Sequence, residues 1–381
     1  MKPKISIIVP IYNVERYLKD TLNSIVNQTI GLENLEVIMV DDCSTDKSRE
    51  IVDEYDSMYE NFKAIHLPKS SGSAGTPRNI GITKATGEYL MFLDHDDYYA
   101  ADACDILYNK IVEENVDVVL GSYINVFDDR EQRIYGDFGD LTEIKVKTIH
   151  DDPRLLILAP SVWTKIYKRS FILDNKFQFK EKLPNEDLVF VLDTFMKADG
   201  IVYLKDYFSY YFRIRDSEGQ ESLSHSKTME NLTLMTKGYV EAYSILIDNG
   251  REEYFPILFN NHLQFWANNF LLSSLTVAEQ RELLEKISFL FEKFRNYDTE
   301  LPKYLIPLFS SIGTKDYDEA ICIKESLEEL LKTQKRLEKE IKYLKDQICA
   351  SQKEHVKYLT TSGYLNKSKR ISSRITAKIK R

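Results

Sequence analysis

The chain has 381 residues, 43% of them hydrophobic and 12% aromatic, enough for one large core with smaller additions. Its net charge of -9 excludes a general nucleic-acid binder, whose affinity rests on cationic contacts to phosphate. That acidity is uneven, because residues 366–381 hold Lys367, Lys369, Arg370, Arg374, Lys378, Lys380 and Arg381 and no acid.

The first 125 residues read as strands alternating with helices. Ile5 to Val9 is an apolar run that predicts a buried strand, ended by Pro10. Glu15 to Gln28 places Tyr17, Leu18, Leu22, Ile25 and Val26 on one helical face. Leu35 to Val40 predicts a second strand, and Asp46 to Met58 a helix with Ser44, Thr45 or Asp46 as cap. Phe62 to Leu67 predicts a third strand, and Thr76 to Lys84 a helix with Pro77 in its first turn. Tyr89 to Leu93, Asp102 to Glu114 and Val116 to Leu120 continue as strand, helix and strand. Such alternation implies an α/β fold with a mostly parallel sheet covered on both faces. Ligands of such sheets sit beyond the carboxyl ends of the strands. Tyr203 to Arg213 predicts one more strand, and residues 226–312 a helical appendage.

From Ile323 onward the apolar residues fall into heptads. Ile323, Leu330, Leu337 and Leu344 occupy d, and Leu327, Gln334, Ile341 and Ile348 occupy a. With Glu and Lys around them, these predict a parallel dimeric coiled coil, or else one amphipathic helix packed on its own domain. In the basic tail, Ile371, Ile375 and Ile379 share a helical face among cations. That pattern suits an anionic membrane surface, or a solvated tail. The boundaries expected are 1–215, 216–320, 321–360 and 361–381.

Two strand ends carry chemistry. Tyr89 to Leu93 runs into Asp94-His95-Asp96-Asp97. Carboxylates crowded at a strand end repel one another and are costly to desolvate, and a divalent cation relieves that cost. Asp94 and Asp96, two apart, are the candidate metal ligands. Upstream, Val40 runs into Asp41-Asp42-Cys43-Ser44-Thr45-Asp46. A carboxylate there, beside Pro10 and Tyr12, suits the imide N–H of uracil, although the same run also suits a helix cap. Ser70 to Asn79 is rich in small residues that let backbone N–H groups approach an anion, with Gly72 in the loop and Arg78 in the following turn. Neither GxxxxGK[ST] nor GxGxxG occurs, so neither a Walker-type NTPase nor a nicotinamide enzyme is indicated. Cys43, Cys104, Cys322 and Cys349 form no CxxC pair, which fits a reducing cytosol. No signal peptide or membrane span is expected, since no run approaches roughly 18 apolar residues.

The segments VPIYN, VDDCSTD, SSGSAGTPRN and LDHDDYY, in this order over the first hundred residues, resemble family 2 glycosyltransferases of the GT-A fold. The resemblance spans about residues 3–215. It implies inverting transfer of a sugar from a nucleotide sugar, UDP-linked on the reading of Asp41-Asp42, with Mn2+ or Mg2+ held by Asp94 and Asp96. It maps the uracil contact to Asp42, with Asp41 close behind. His95 stands where serine or alanine is common in the family. The general base maps to Asp187, after Glu186, in Leu183-Pro184-Asn185-Glu186-Asp187. Those acids would equally favour the start of an Asn185-capped helix.

Residues 161–168 and the Glu-Asp-Leu-Val-Phe segment look most like teichoic-acid and capsular-polysaccharide transferases. This places Lys165, Lys168 and Arg169 near the donor diphosphate or an acceptor phosphate. The expected partners are a nucleotide sugar, a glycan, teichoic-acid or lipid-linked acceptor, and a second copy of the chain. The expected location is cytoplasmic, at the inner face of the membrane. A nucleotidyltransferase would need a basic loop where Pro10 to Asn13 stands, and a coiled-coil scaffold would leave the carboxylates unexplained.

Overall fold

The computed structural model describes residues 2–158, 160–215, 226–295 and 301–330, with further helical positions between 332 and 344. The chain divides into two units between Ala320 and Ile321.

The core of the first unit is a sheet of ten strands among the described residues. In chain order these are β1 (Ile5–Ile11), β2 (Leu35–Asp41), β3 (Phe62–His66), β4 (Tyr89–Phe92), β5 (Tyr98–Tyr99), β6 (Val118–Val126), β7 (Glu131–Ile134), β8 (Glu143–Val146), β9 (Lys165–Lys168) and β10 (Ile201–Arg213). Their order across the sheet is β3-β2-β1-β4-β9-β6-β10-β5, with β7 on β6 and β8 on β10. Pairing is parallel from β3 to β4 and again between β6 and β10. Strand β9 is antiparallel to both β4 and β6, so those two point the same way. The carboxyl ends of β1, β2, β4, β6 and β10 therefore share one edge. The central strands β1, β2 and β4 are buried along their whole length and mostly apolar because both faces are covered.

Helices α1 (Leu18–Val26), α2 (Ser48–Met58), α3 (Gly75–Lys84) and α4 (Ala103–Glu114) link the strands, followed by α5 (Arg169–Asp174) and α6 (Glu186–Lys197). Helix α3 lies on β1 and β2, and α4 on β6. Gly81 makes the α3 approach possible: an added Cβ would sit 3.0 Å from Ile8 Cγ1 and nearer still to Cγ2.

Pro10 does not end β1; it pairs with Val40 of β2. Proline is tolerated there because β4 stops at the Ile8–Phe92 pair, so no neighbour needs the missing N–H.

The helical appendage is present as α7 (Met229–Asp248), α8 (Phe255–Leu271), α9 (Val277–Phe294) and α10 (Ile306–Gly313). Its core is aromatic: Phe255 stacks on Phe259, and Trp266 on Phe270, with Phe291 and Phe309 edge-on. Helix α7 also packs on α6, so the appendage belongs to the same unit as the sheet.

In the second unit residues 321–330 are helical. Leu330, Leu337 and Leu344 of the heptad seam are 64%, 48% and 53% exposed. Gln334, Ile341 and Ile348, and the basic tail with Ile371, Ile375 and Ile379, lie outside the described residues. Among the described residues no helix is long and apolar enough to cross a membrane.

Candidate active site

The carboxyl end of β4 carries the acidic cluster, and its members have different surroundings. Asp97 is buried and accepts from the Tyr210 hydroxyl at 2.8 Å and the Arg213 N–H at 2.7 Å. Burial, then Asp96 and Asp94, holds its carboxyl well above the usual range. The Tyr210 hydroxyl also accepts the Asp94 N–H at 3.3 Å, tying the cluster to β10. Asp96 pairs with Arg215, two residues beyond Arg213. Asp94 accepts from Arg78 Nη2 at 2.6 Å and keeps a quarter of its side chain exposed.

His95 points away from the cluster. Its Nδ1 donates to the Pro10 carbonyl at 2.8 Å, and its own carbonyl accepts from the Thr21 hydroxyl. The ring thus replaces a ladder hydrogen bond where β4 has ended.

Arg78 joins the two acidic motifs. It is buried, with Nη1 on Glu186 and Nη2 on Asp94, both at 2.6 Å, and its face over Phe179. Burial opposes its charge, but Asp94, Glu186 and Asp187 push its pKa up. Glu186 is buried in turn, and burial raises it against the pull of Arg78. Asp187 follows in the first turn of α6, half-buried, its Oδ1 accepting the Leu188 N–H. Burial, and then the neighbouring Glu186, lift its pKa to about 7, with Arg78 opposing. Asn185 precedes the helix but does not cap it through its side chain.

At the β2 end, Asp41 and Asp42 have separate tasks. Asp41 is fully buried, taking His66 Nδ1 at 3.0 Å and the Ser44 N–H at 3.0 Å. His66 Nε2 reaches Asp53 at 2.8 Å. Asp42 accepts the Ser71 N–H at 2.8 Å and the Ser70 hydroxyl at 3.0 Å, so it fastens the small-residue loop. Gly72 in that loop has φ +84°, a conformation other residues rarely adopt, and the space beside it is open. Pro10 is buried, whereas Tyr12, just past β1, is exposed.

Lys165 requires a correction. Its ammonium is enclosed, donating to the carbonyls of Leu158 and Ser161, and burial lowers its pKa to about 7. A cation sealed against its own backbone does not meet a donor or acceptor phosphate. Lys168 pairs with Tyr89 in the β4–β9 ladder, and Arg169 opens α5.

Sequence reasoning missed Tyr210, Arg213 and Arg215. Two arginines at alternate positions closing an aromatic strand were the available signal, since they fall on one face.

A family model described as Glycosyl transferase family 2 matches residues 6–172. The Poly(ribitol-phosphate) beta-N-acetylglucosaminyltransferase TarP of Staphylococcus aureus is 31% identical over 231 residues, covering 60% of this chain and 68% of that one. The chain belongs to glycosyl transferase family 2. The Poly(ribitol-phosphate) beta-glucosyltransferase of Bacillus spizizenii is 36% identical over 216 residues, covering 56% of this chain. The chain spans only 33% of that relative's length. Among solved structures, S. aureus TarS 1-349 in complex with UDP-GlcNAc superposes with a TM-score of 0.69 at 29% identity. The match covers 86% of this chain and 92% of that one, so it continues past residue 172 through α6 and into the appendage. The expected GT-A architecture of this family 2 member is thereby shared with a nucleotide-sugar-bound neighbour.

Proposed function

We propose that the chain is an inverting glycosyltransferase that moves a sugar from a UDP-sugar to a teichoic-acid-type polymer. The observation that carries this reading is the Arg78 bridge, which brings Asp94 of the strand-end cluster and Glu186-Asp187 of α6 to one place. One motif suits the donor, the other the acceptor. The relatives' action on poly(ribitol phosphate) and the UDP-GlcNAc seen with TarS support the same substrates.

Asp187 is the proposed base. A pKa near 7 lets it be ionised at working pH and still take a proton from an acceptor hydroxyl. That hydroxyl oxygen attacks the anomeric carbon as the bond to the diphosphate breaks. Glu186, paired with Arg78, stands beside the proposed base, and its charge helps to raise that neighbour. Asp42, Tyr12 and Pro10 form the proposed uracil end, while Asp41 supports the turn from within the core. The loop at Gly72 leaves room for the diphosphate.

The donor set suits a hard divalent cation: Asp94 and Asp96 each keep one oxygen without a protein partner among the described residues. Among those residues no three such side chains converge, so phosphate and water oxygens would complete the shell. When bound, Mn2+ or Mg2+ would supply positive charge to the leaving diphosphate.

The test is a panel of UDP-sugars with poly(ribitol phosphate), run with Asp187→Asn and with chelator. The expected result is transfer from one donor, at least 100-fold loss in Asp187→Asn with UDP affinity kept, and arrest by chelator. Near-normal transfer by Asp187→Asn removes the base assignment. Undiminished turnover in chelator removes the metal.

A further inference from the structure

Gly238 sits in the middle of the 20-residue helix α7, where glycine is the least favourable residue after proline. Its neighbour across the helix interface explains it. An added Cβ would lie 2.6 Å from Asn185 Nδ2 and nearer still to Oδ1. Asn185 is the residue immediately before the first turn of α6. Asparagine there ordinarily caps the helix through its side chain. Here the amide leaves the helix end instead, and Nδ2 donates to the Met235 carbonyl of α7 at 3.2 Å. The Asn185 Oδ1 is buried with no partner among the described residues, so the side chain is held there by fit rather than by a full set of hydrogen bonds. The next residue on α7, Tyr239, is buried close enough to Asp187 to feel its charge.

We infer that α7 positions the proposed base: Gly238 admits the Asn185 side chain, and that contact sets the first turn of α6 with Glu186 and Asp187. The helical appendage is then a wall of the active site and not an addition beside it. The inference rests on Asp187 acting as the base. Gly238 and Asn185 act through Asp187 and are positioning residues.

The full chain carries the test, with the UDP-sugar that the donor panel selects and poly(ribitol phosphate) as acceptor. Four proteins are compared with wild type: Gly238→Ala, Asn185→Ser, the double variant and Asp187→Asn. Helix propensity alone would make Gly238→Ala harmless or stabilising. The expected result is the opposite for catalysis: kcat falls about 10-fold or more and the limb of the pH–rate profile near pH 7 moves. UDP affinity stays within twofold, which also reports that the nucleotide site is folded. Because the clash is with the Asn185 amide, the same Gly238→Ala change in the Asn185→Ser background costs less than threefold.

Unchanged kcat and pH profile in Gly238→Ala, with Asp187→Asn inactive, overturns the positioning alone. An equal loss in both backgrounds overturns it as well, since the contact then carries nothing. Full activity in Asp187→Asn instead overturns the base assignment, and this inference with it.

Discussion

Arg78 is where three carboxylates are reconciled. A buried guanidinium between Asp94 and Glu186 satisfies both with charge-assisted bonds, and its fork geometry is what a lysine lacks. Asp187 is left outside the fork, half-buried and next to a carboxylate, and so rises to about 7. This has a cost in stability with a definite sign. Between the ordinary carboxylate range and pH 7 the folded protein holds a proton at Asp187 that the unfolded chain has lost. Stability from this group is therefore present at low pH and is lost as pH rises towards and through 7, by at most about 1.4 kcal/mol per pH unit. Activity should run the other way, since Asp187 must be ionised to act as the proposed base. Thermal unfolding of wild type and Asp187→Asn from pH 5 to 8 should show the variant gaining Tm relative to wild type as pH rises. A constant difference across that range would mean that Asp187 ionises normally.

At the scale of elements, strand β10 closes the acidic cluster that β4 opens. Tyr210 and Asp97 are 113 positions apart, and their meeting depends on the register of β10 on β6, which shifts twice between Leu204 and Tyr210. Tyr210→Phe removes one hydroxyl that both donates to Asp97 and accepts from Asp94. Leaving a buried, hydrogen-bonded carboxyl short of a partner costs roughly 1–3 kcal/mol. The expected outcome is a Tm several degrees lower and a transfer rate reduced 10-fold or more, measured by calorimetry and by transfer assays at saturating donor. An unchanged Tm and rate would detach β10 from the site. The same contrast divides what was legible in the sequence from what was not. Helices α1 to α4 and strands β1 to β4 follow from local periodicity, the cluster at Asp94 to Asp97 from carboxylates crowded at a strand end, and Glu186-Asp187 from resemblance. Strand β9 was hidden because Lys165 and Lys168 read as cations facing a phosphate, although Lys165 is enclosed by backbone carbonyls. The Arg215–Asp96 and Tyr210–Asp97 pairs were hidden because no local rule sets a register with two irregularities. Pro10 was misread because its tolerance depends on where a different strand stops.

At the scale of the whole chain, the two units raise the question of what covers the heptad seam. Leu330, Leu337 and Leu344 recur every seven residues and are each about half or more exposed. An exposed leucine alone is ordinary, but three at heptad spacing on helical positions are the d-position pattern of a coiled-coil seam. The flanking charges favour a second copy in parallel: Glu340 stands at g and Lys345 at the following e, so each chain offers the other's opposite charge. Leu337 lies at the middle of the seam, and a charge there would be desolvated on association without a partner. Leu337→Glu is expected to convert a dimer to a monomer in light scattering at micromolar concentration. Removal of residues 321–381 should do the same and leave the melting of the remaining chain within a few degrees, since residues 1–320 form their own unit. A wild-type chain that is monomeric at these concentrations would show that the seam has no copy of itself as partner. A Leu337→Glu dimer would place the contact elsewhere.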